Sequence, residues 1–187
     1  MSAMGQSDVL PLKSVLLKHA RDAFGDQPAL DSSWQDLAYR ARPDYAGAVT
    51  EYEAFQELLE RLGTEVHLAP PDPATGPDSV YVRDATVICD RGAILCNMGK
   101  QAREMEPGAA ERSLRDIDVP IVGRITGSGR MEGGDVAWID ERNVAVGLGY
   151  RTNAEGIRQL RALLGSGVVK VVPVPLPHWH GPGDVFH

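Results

Sequence analysis

The sequence predicts an α/β fold built from repeated units. Three observations carry this. Apolar residues recur with strand-like and helix-like periods in alternation along the 187 residues. One arrangement, a hairpin followed by a helix and a strand, is read at 79–125 and again at 136–174. A unit that repeats in this way buries its apolar face against its neighbours, which points to modules set around an axis. No G-x-G-x-x-G follows the first strand and no G-x-x-x-x-G-K-[ST] occurs, so the usual support for a nucleotide-binding sheet is missing.

Residues 1–12 read as a loose leader, and residues 13–187 as one β/α domain. Ser14–Lys18 is a short apolar strand. Pro43 and Asp44 then introduce a helix with Val49, Tyr52, Phe55, Leu58, Leu59 and Leu62 on one face, stopped by Gly63. Glu65–Ala69 is a second strand, followed by a Pro/Asp/Gly-rich loop through Pro77. Two apolar runs, Ser79–Cys89 and Ala93–Asn97, flank Asp90-Arg91-Gly92, a hairpin signature. From Gln101 to about Ile117 the pattern is helical with a break at Pro107-Gly108, and Ile121–Ile125 is the next strand. Val136–Ile139 and Val144–Gly147 form a second hairpin. Thr152-Asn153-Ala154-Glu155 fits a capping box with Thr152 as the cap, opening a helix that buries Ile157, Leu160, Leu163 and Leu164 and ends at Gly165. Val168–Val174 is the last strand.

Composition narrows the function. A hydrophobic content of 43% and a charged content of 24% suit a globular domain, and a net charge of −7 argues against a nucleic-acid binder, which usually shows a basic face. No apolar run approaches the roughly 20 residues a membrane span needs, and the start carries no secretory pattern. The two cysteines, Cys89 and Cys96, have neither Cys-x-x-Cys nor framework spacing, so a reducing cytoplasm is expected.

Carboxylates and arginines sit at the ends of apolar runs. Asp78 opens one and Asp84 interrupts it. A straight strand would hold residues six apart roughly 20 Å from each other, so both reach one small cation only if the chain bends between them. Glu132-Gly133-Gly134-Asp135 places two acids around glycines that permit close approach of a ligand. Arg103 and Arg151 each stand beside a helix start and offer the fork of donors that matches a carboxylate. His178-Trp179-His180 and His187 invite a metal reading, against which no glutamate follows at ligand spacing.

Together these motifs resemble the guanidine-modifying superfamily of five-bladed β/α propellers (penteins). The likeness is greatest to dimethylarginine dimethylaminohydrolases and more distant to arginine deiminases. The matching segments run from Arg42-Pro43-Asp44-Tyr45 through Pro70-Pro71-Asp72, Pro77–Asp84, Glu132–Asp135 and Arg151–Gly156 to Val185-Phe186-His187. The resemblance implies about three of five propeller modules. It also implies hydrolysis of the guanidino group of arginine or an N-methylated arginine to citrulline, by a Cys-His-Glu set that needs no cofactor. Glu132 would be its acid and His187 its histidine. Substrate contacts would come from Asp78, Tyr81, Asp84, Arg103, Asp135 and Arg151, with the two arginines holding the substrate carboxylate. Arg83 stands where the dimethylarginine enzymes carry an acid and looks deiminase-like.

In those families the nucleophile is a cysteine well beyond the histidine. This chain ends at His187, as though cut inside a motif, so the isolated polypeptide is expected to be inactive, with exposed propeller edges through which copies could associate. Cys89 and Cys96 read as small buried apolar residues. A non-catalytic ligand-binding or self-assembling remnant and an amidinotransferase stay open as alternatives.

Overall fold

The computed structural model describes residue 8 and residues 10–167 and 170–177. They fall into two compact units, one of Pro11–Val82 and one of Met1–Leu10 with Arg83–His187.

In the Pro11–Val82 unit, β1 (Ser14–Leu17) and β2 (Glu65–Leu68) pair in parallel, Ser14 with Glu65 through Leu17 with Leu68. Three helices lie between them in sequence: α1 (Ala20–Phe24), α2 (Gln27–Ser33) and α3 (Tyr45–Arg61). The sequence reading found only the third. The other two are one to two turns long, too short to declare a period, and rest on caps. His19 Nδ1 accepts from Arg21 N at 3.0 Å, and Asp26 Oδ1 from Ala29 N at 2.8 Å. Asp44 caps α3 as expected, and Gly63, with φ +83°, follows its end. The apolar face of α3 departs from expectation. Tyr45, Ala48 and Tyr52 pack on Ala20, Ala23, Phe24 and Leu30, whereas Phe55, Leu58 and Leu62 are exposed. No residue of α3 is fully buried, and the half-buried Tyr45, Ala48 and Tyr52 lie on the part of the helix that packs on α1 and α2.

The second unit holds the predicted duplication. β3 (Thr86–Cys89) and β4 (Gly92–Leu95) form an antiparallel hairpin, α4 (Glu106–Asp116) follows, and β5 (Ile121–Arg124) pairs in parallel with β4. β6 (Val136–Trp138), β7 (Asn143–Leu148), α5 (Ala154–Leu164) and β8 (Lys170–Pro175) repeat the same plan. A bridge between Asn97 and Met131 links the two repeats. Ile94, Met131, Val144, Val146 and Leu160 lie at the centre of their shared core with no more than traces of exposed surface.

Three local readings change. Residues 79–85 are not strand. Pro77–Val80 and Val82–Ala85 are consecutive 3-10 turns, and strand begins only at Thr86, with the β-branched residues. The backbone between Asp78 and Asp84 is thus folded rather than extended. Pro107 does not break a helix but opens α4, in a first turn where its missing N–H is not needed. The cap of α5 is Asn153, whose side chain accepts from Gly156 N at 2.8 Å, while Thr152 is held elsewhere and Glu155 pairs with Arg158. The last strand, expected over Val168–Val174, is described from Lys170 to Pro175, and residues 168 and 169 lie outside the described residues. Among the described residues no helix is long and apolar enough to cross a membrane.

Candidate active site

The site grows from the two places where a 3-10 turn leads into a hairpin. Gly133–Asp135 precedes β6, and Val82–Ala85 precedes β3. Gly133 is required there, because a Cβ on it would run into the carbonyl oxygens of Arg83 and Thr86. This contact sets the two turns against each other and so brings their acids into one neighbourhood.

Glu132, just before its turn, is completely buried. An ionised carboxylate in such a place is costly unless its oxygens are satisfied. Oε1 accepts from the backbone N–H groups of Gly99 and Lys100 at 3.1 and 3.2 Å and from Arg151 Nη1 at 3.0 Å. Oε2 lies 3.4 Å from Arg151 Nη1 and 3.9 Å from Arg103 Nη1. The Glu132 N–H donates to Thr152 Oγ1 at 3.1 Å, and that hydroxyl in turn donates to Asp135 Oδ2 in a short hydrogen bond. Arg151 and Thr152, adjacent in sequence ahead of α5, thus hold the carboxylate and the backbone of Glu132 respectively.

Asp84 receives Arg103 Nη1 on Oδ2 at 2.6 Å. The other edge of the same guanidinium is taken by Glu106, whose two oxygens accept from Nε and Nη2 at 2.9 and 2.8 Å, a fork-to-fork pairing. Burial works against the charge on Arg103, but the hydrogen bonds and charges of Glu106 and Asp84 outweigh it and hold the pKa above the ordinary arginine value. Three carboxyl groups, Asp84, Glu106 and Glu132, therefore meet two guanidinium groups, Arg103 and Arg151, and a fourth, Asp135, joins them through the Thr152 hydroxyl. The acidic remainder suits a cationic ligand.

Cys96 lies inside this acid cluster. Burial pushes its thiol up first, and the charges of Asp84, Glu132 and Asp135 push it further, with a hydrogen bond involving the Gly133 backbone opposing them weakly. Cys89 and Cys96 are both free and buried.

Of the residues singled out in the sequence, Asp84, Arg103, Glu132, Asp135 and Arg151 form one connected network. Asp78 and Tyr81 belong to the Pro11–Val82 unit, where Asp78 is buried in the first 3-10 turn and Tyr81 is exposed. His178, His180 and His187 lie outside the described residues, and among the described residues no His/Cys/Asp/Glu group is arranged to hold a metal ion. The sequence reading missed Glu106, the hydroxyl role of Thr152 and the two amides at Gly99 and Lys100. For Glu106 a signal existed, since it stands three residues after Arg103 at pairing distance on a helical turn. Backbone amides leave no such trace.

Known proteins are similar to this chain in sequence and fold. The family profile described as arginine deiminase matches residues 72–181, more than half of the chain. The N(G),N(G)-dimethylarginine dimethylaminohydrolase of Pseudomonas aeruginosa is 33% identical over 127 residues, covering 68% of this chain and 49% of its own length. Its counterpart from Streptomyces coelicolor is 33% identical over 138 residues, covering 73% and 52%. The crystal structure of a Pseudomonas aeruginosa dimethylarginine dimethylaminohydrolase variant complexed with citrulline superposes with a TM-score of 0.74 at 28% identity, over 92% of this chain and 64% of that one. The chain spans about half the length of the curated relatives it matches.

Proposed function

This chain belongs to the arginine deiminase family of the guanidine-modifying superfamily, and we propose that its site serves hydrolysis of the guanidino group of arginine or an N-methylated arginine. The products are citrulline and ammonia or an amine. The observation that carries this reading is the buried Glu132 carboxylate, fixed by two amides and Arg151 within a network richer in acids than in arginines.

In this account Asp84 holds the planar, cationic guanidinium and offsets its desolvation, with Asp135 supporting it. Arg151, whose side chain retains 20% exposure, takes the substrate carboxylate together with Arg103. A thiolate adds to the guanidinium carbon. His187 gives a proton to the departing amine and then removes one from the water that attacks the same carbon, with Glu132 as the acid of the set. The thiolate leaves and citrulline remains. The buried Cys96 thiol, held in its protonated form, is unsuited to the nucleophile's part, and so is buried Cys89. The account assigns that part to a cysteine outside these 187 residues. The three sheets are read as modules of a five-bladed propeller.

The test is calorimetric binding combined with a citrulline assay. The purified chain is expected to bind L-arginine or an N-methylated arginine without releasing citrulline, and Cys96→Ala is expected to bind as the parent does. Citrulline release that disappears in Cys96→Ala would overturn the assignment of the nucleophile. Absence of binding to any guanidino compound would overturn the site.

A further inference from the structure

Gly99 touches both members of the Glu132–Arg151 pair. Its N–H donates to Glu132 Oε1 at 3.1 Å, the same oxygen that accepts from Arg151 Nη1 at 3.0 Å. Its α-carbon lies against Arg151 itself. A Cβ at position 99 would stand 2.7 Å from Arg151 Cα, 2.8 Å from the Arg151 carbonyl oxygen and 3.1 Å from Arg151 Cδ. Carbon atoms in favourable contact keep about 3.5–4.0 Å between them. The close approach therefore requires glycine, and the neighbour it admits is the arginine to which the proposed function gives the ligand's carboxylate.

Arg151 gives only Nη1 to Glu132, so Nε and Nη2 are the donors that remain for a carboxylate. Their direction follows from where the aliphatic stem lies and from where Nη1 is held. Gly99 bears on both, on the stem through the contact at Cδ and on Nη1 through the shared Oε1. A side chain at position 99 has two routes of relief. Arg151 can move away, but Thr152 and Asn153 directly after it are tied to Glu132, Asp135 and Arg130. Otherwise residue 99 moves away, and its N–H leaves Oε1. Each route turns the Nε/Nη2 edge of the guanidinium.

We propose that Gly99 is a specificity-determining residue, which selects guanidino ligands bearing a carboxylate by setting the direction of Arg151. This rests on the proposed function of the site. The effect belongs to the carboxylate end of the ligand, and the guanidino end is left to Asp84.

The experiment is calorimetric titration of the chain and its Gly99→Ala, Arg151→Met and doubly substituted variants with L-arginine and with agmatine, which keeps the guanidino group and lacks the carboxylate. Circular dichroism confirms that each variant is folded. In Gly99→Ala, L-arginine is expected to weaken by roughly 10–100-fold, the range seen when a residue that orients a binding group is removed. Agmatine is expected to bind as it does to the parent. In the Arg151→Met background the glycine substitution should weaken L-arginine no further, because the two residues act as one unit. If Gly99→Ala does not fold, NMR of the parent chain decides: L-arginine should shift the Gly99 amide resonance, and agmatine should leave it in place.

Three results would overturn the proposal: an unchanged preference for L-arginine over agmatine in folded Gly99→Ala, a loss that adds in full to that of Arg151→Met, or a Gly99 amide that both ligands shift alike or that L-arginine leaves unmoved. Failure of the parent chain to bind either ligand is a different outcome, which removes the proposed function and this inference with it.

Discussion

Arg151 Nη1 donates to Glu132 Oε1 at 3.0 Å, so the arginine proposed to hold the substrate carboxylate also holds the acid proposed for catalysis. Nη1 is the atom given to Glu132, and Nε and Nη2 leave Arg151 donors for a ligand's carboxylate. In Arg151→Met the preference for L-arginine over agmatine should fall at least tenfold, because agmatine has no carboxylate to lose. Stability should drop by about 3 kcal/mol, the low end for breaking a buried pair, since Arg151 is partly exposed. Denaturant unfolding and paired titrations check both. An undiminished preference for L-arginine would exclude Arg151 from the carboxylate subsite.

Thr152 offers a cleaner probe of the turn. Its hydroxyl accepts from Glu132 N and donates to Asp135. Thr152→Val keeps the shape but strands a buried donor and a buried carboxylate oxygen, and should cost about 2–3 kcal/mol. Thr152→Ser, which keeps the hydroxyl, should cost less than half as much. Equal losses in the two variants would mean that the methyl group, and not the hydroxyl, is what Thr152 contributes.

Gly133→Ala should be among the most damaging small substitutions in the chain. The added methyl meets two backbone carbonyls that cannot swing away as a side chain would. A loss of about 2–3 kcal/mol, at the upper end for overpacking, is expected in chemical denaturation. A change below about 0.5 kcal/mol, ordinary for a surface site, would mean that the two turns are not in contact.

The thiol chemistry has a predicted sign. Burial and the acids around Cys96 favour its neutral form, so its folded pKa lies above the ordinary value of 9.0. Folding therefore opposes ionisation, and at pH 8 the native chain should react with iodoacetamide far more slowly than the denatured chain. Raising the pH to just above 9 should speed the denatured reaction and leave the native one nearly unchanged. Rapid native labelling of Cys96, followed by mass spectrometry, would contradict the buried, protonated thiol and reopen it as a nucleophile.

Much of this was legible in the sequence where a side-chain pattern is local. The alternation at 136–148 and the helical spacing of Ile157, Leu160 and Leu164 specify β6, β7 and α5, because one face of each is buried. The duplicated plan is real for the same reason. What failed were features decided by tertiary partners. Thr152 looked like a cap because its neighbours fit the motif, yet Asp135 and Glu132 claim its hydroxyl and the helix starts one residue later. The run from Ser79 looked extended because Val80, Tyr81 and Val82 favour strands, but Pro77 and the buried Asp84, drawn to Arg103, fold it into turns. Arg103 showed its charge in the sequence but not the two carboxylates that orient it.

The central claim is that these acids form a binding site for a guanidino cation, and calorimetric titration of the chain with L-arginine tests it most directly when Asp84→Asn and L-lysine serve as controls. The account predicts saturable one-to-one binding of L-arginine, no measurable binding of L-lysine, and loss of the L-arginine signal in folded Asp84→Asn. Equal binding of the two amino acids, or L-arginine binding that survives Asp84→Asn, would contradict it.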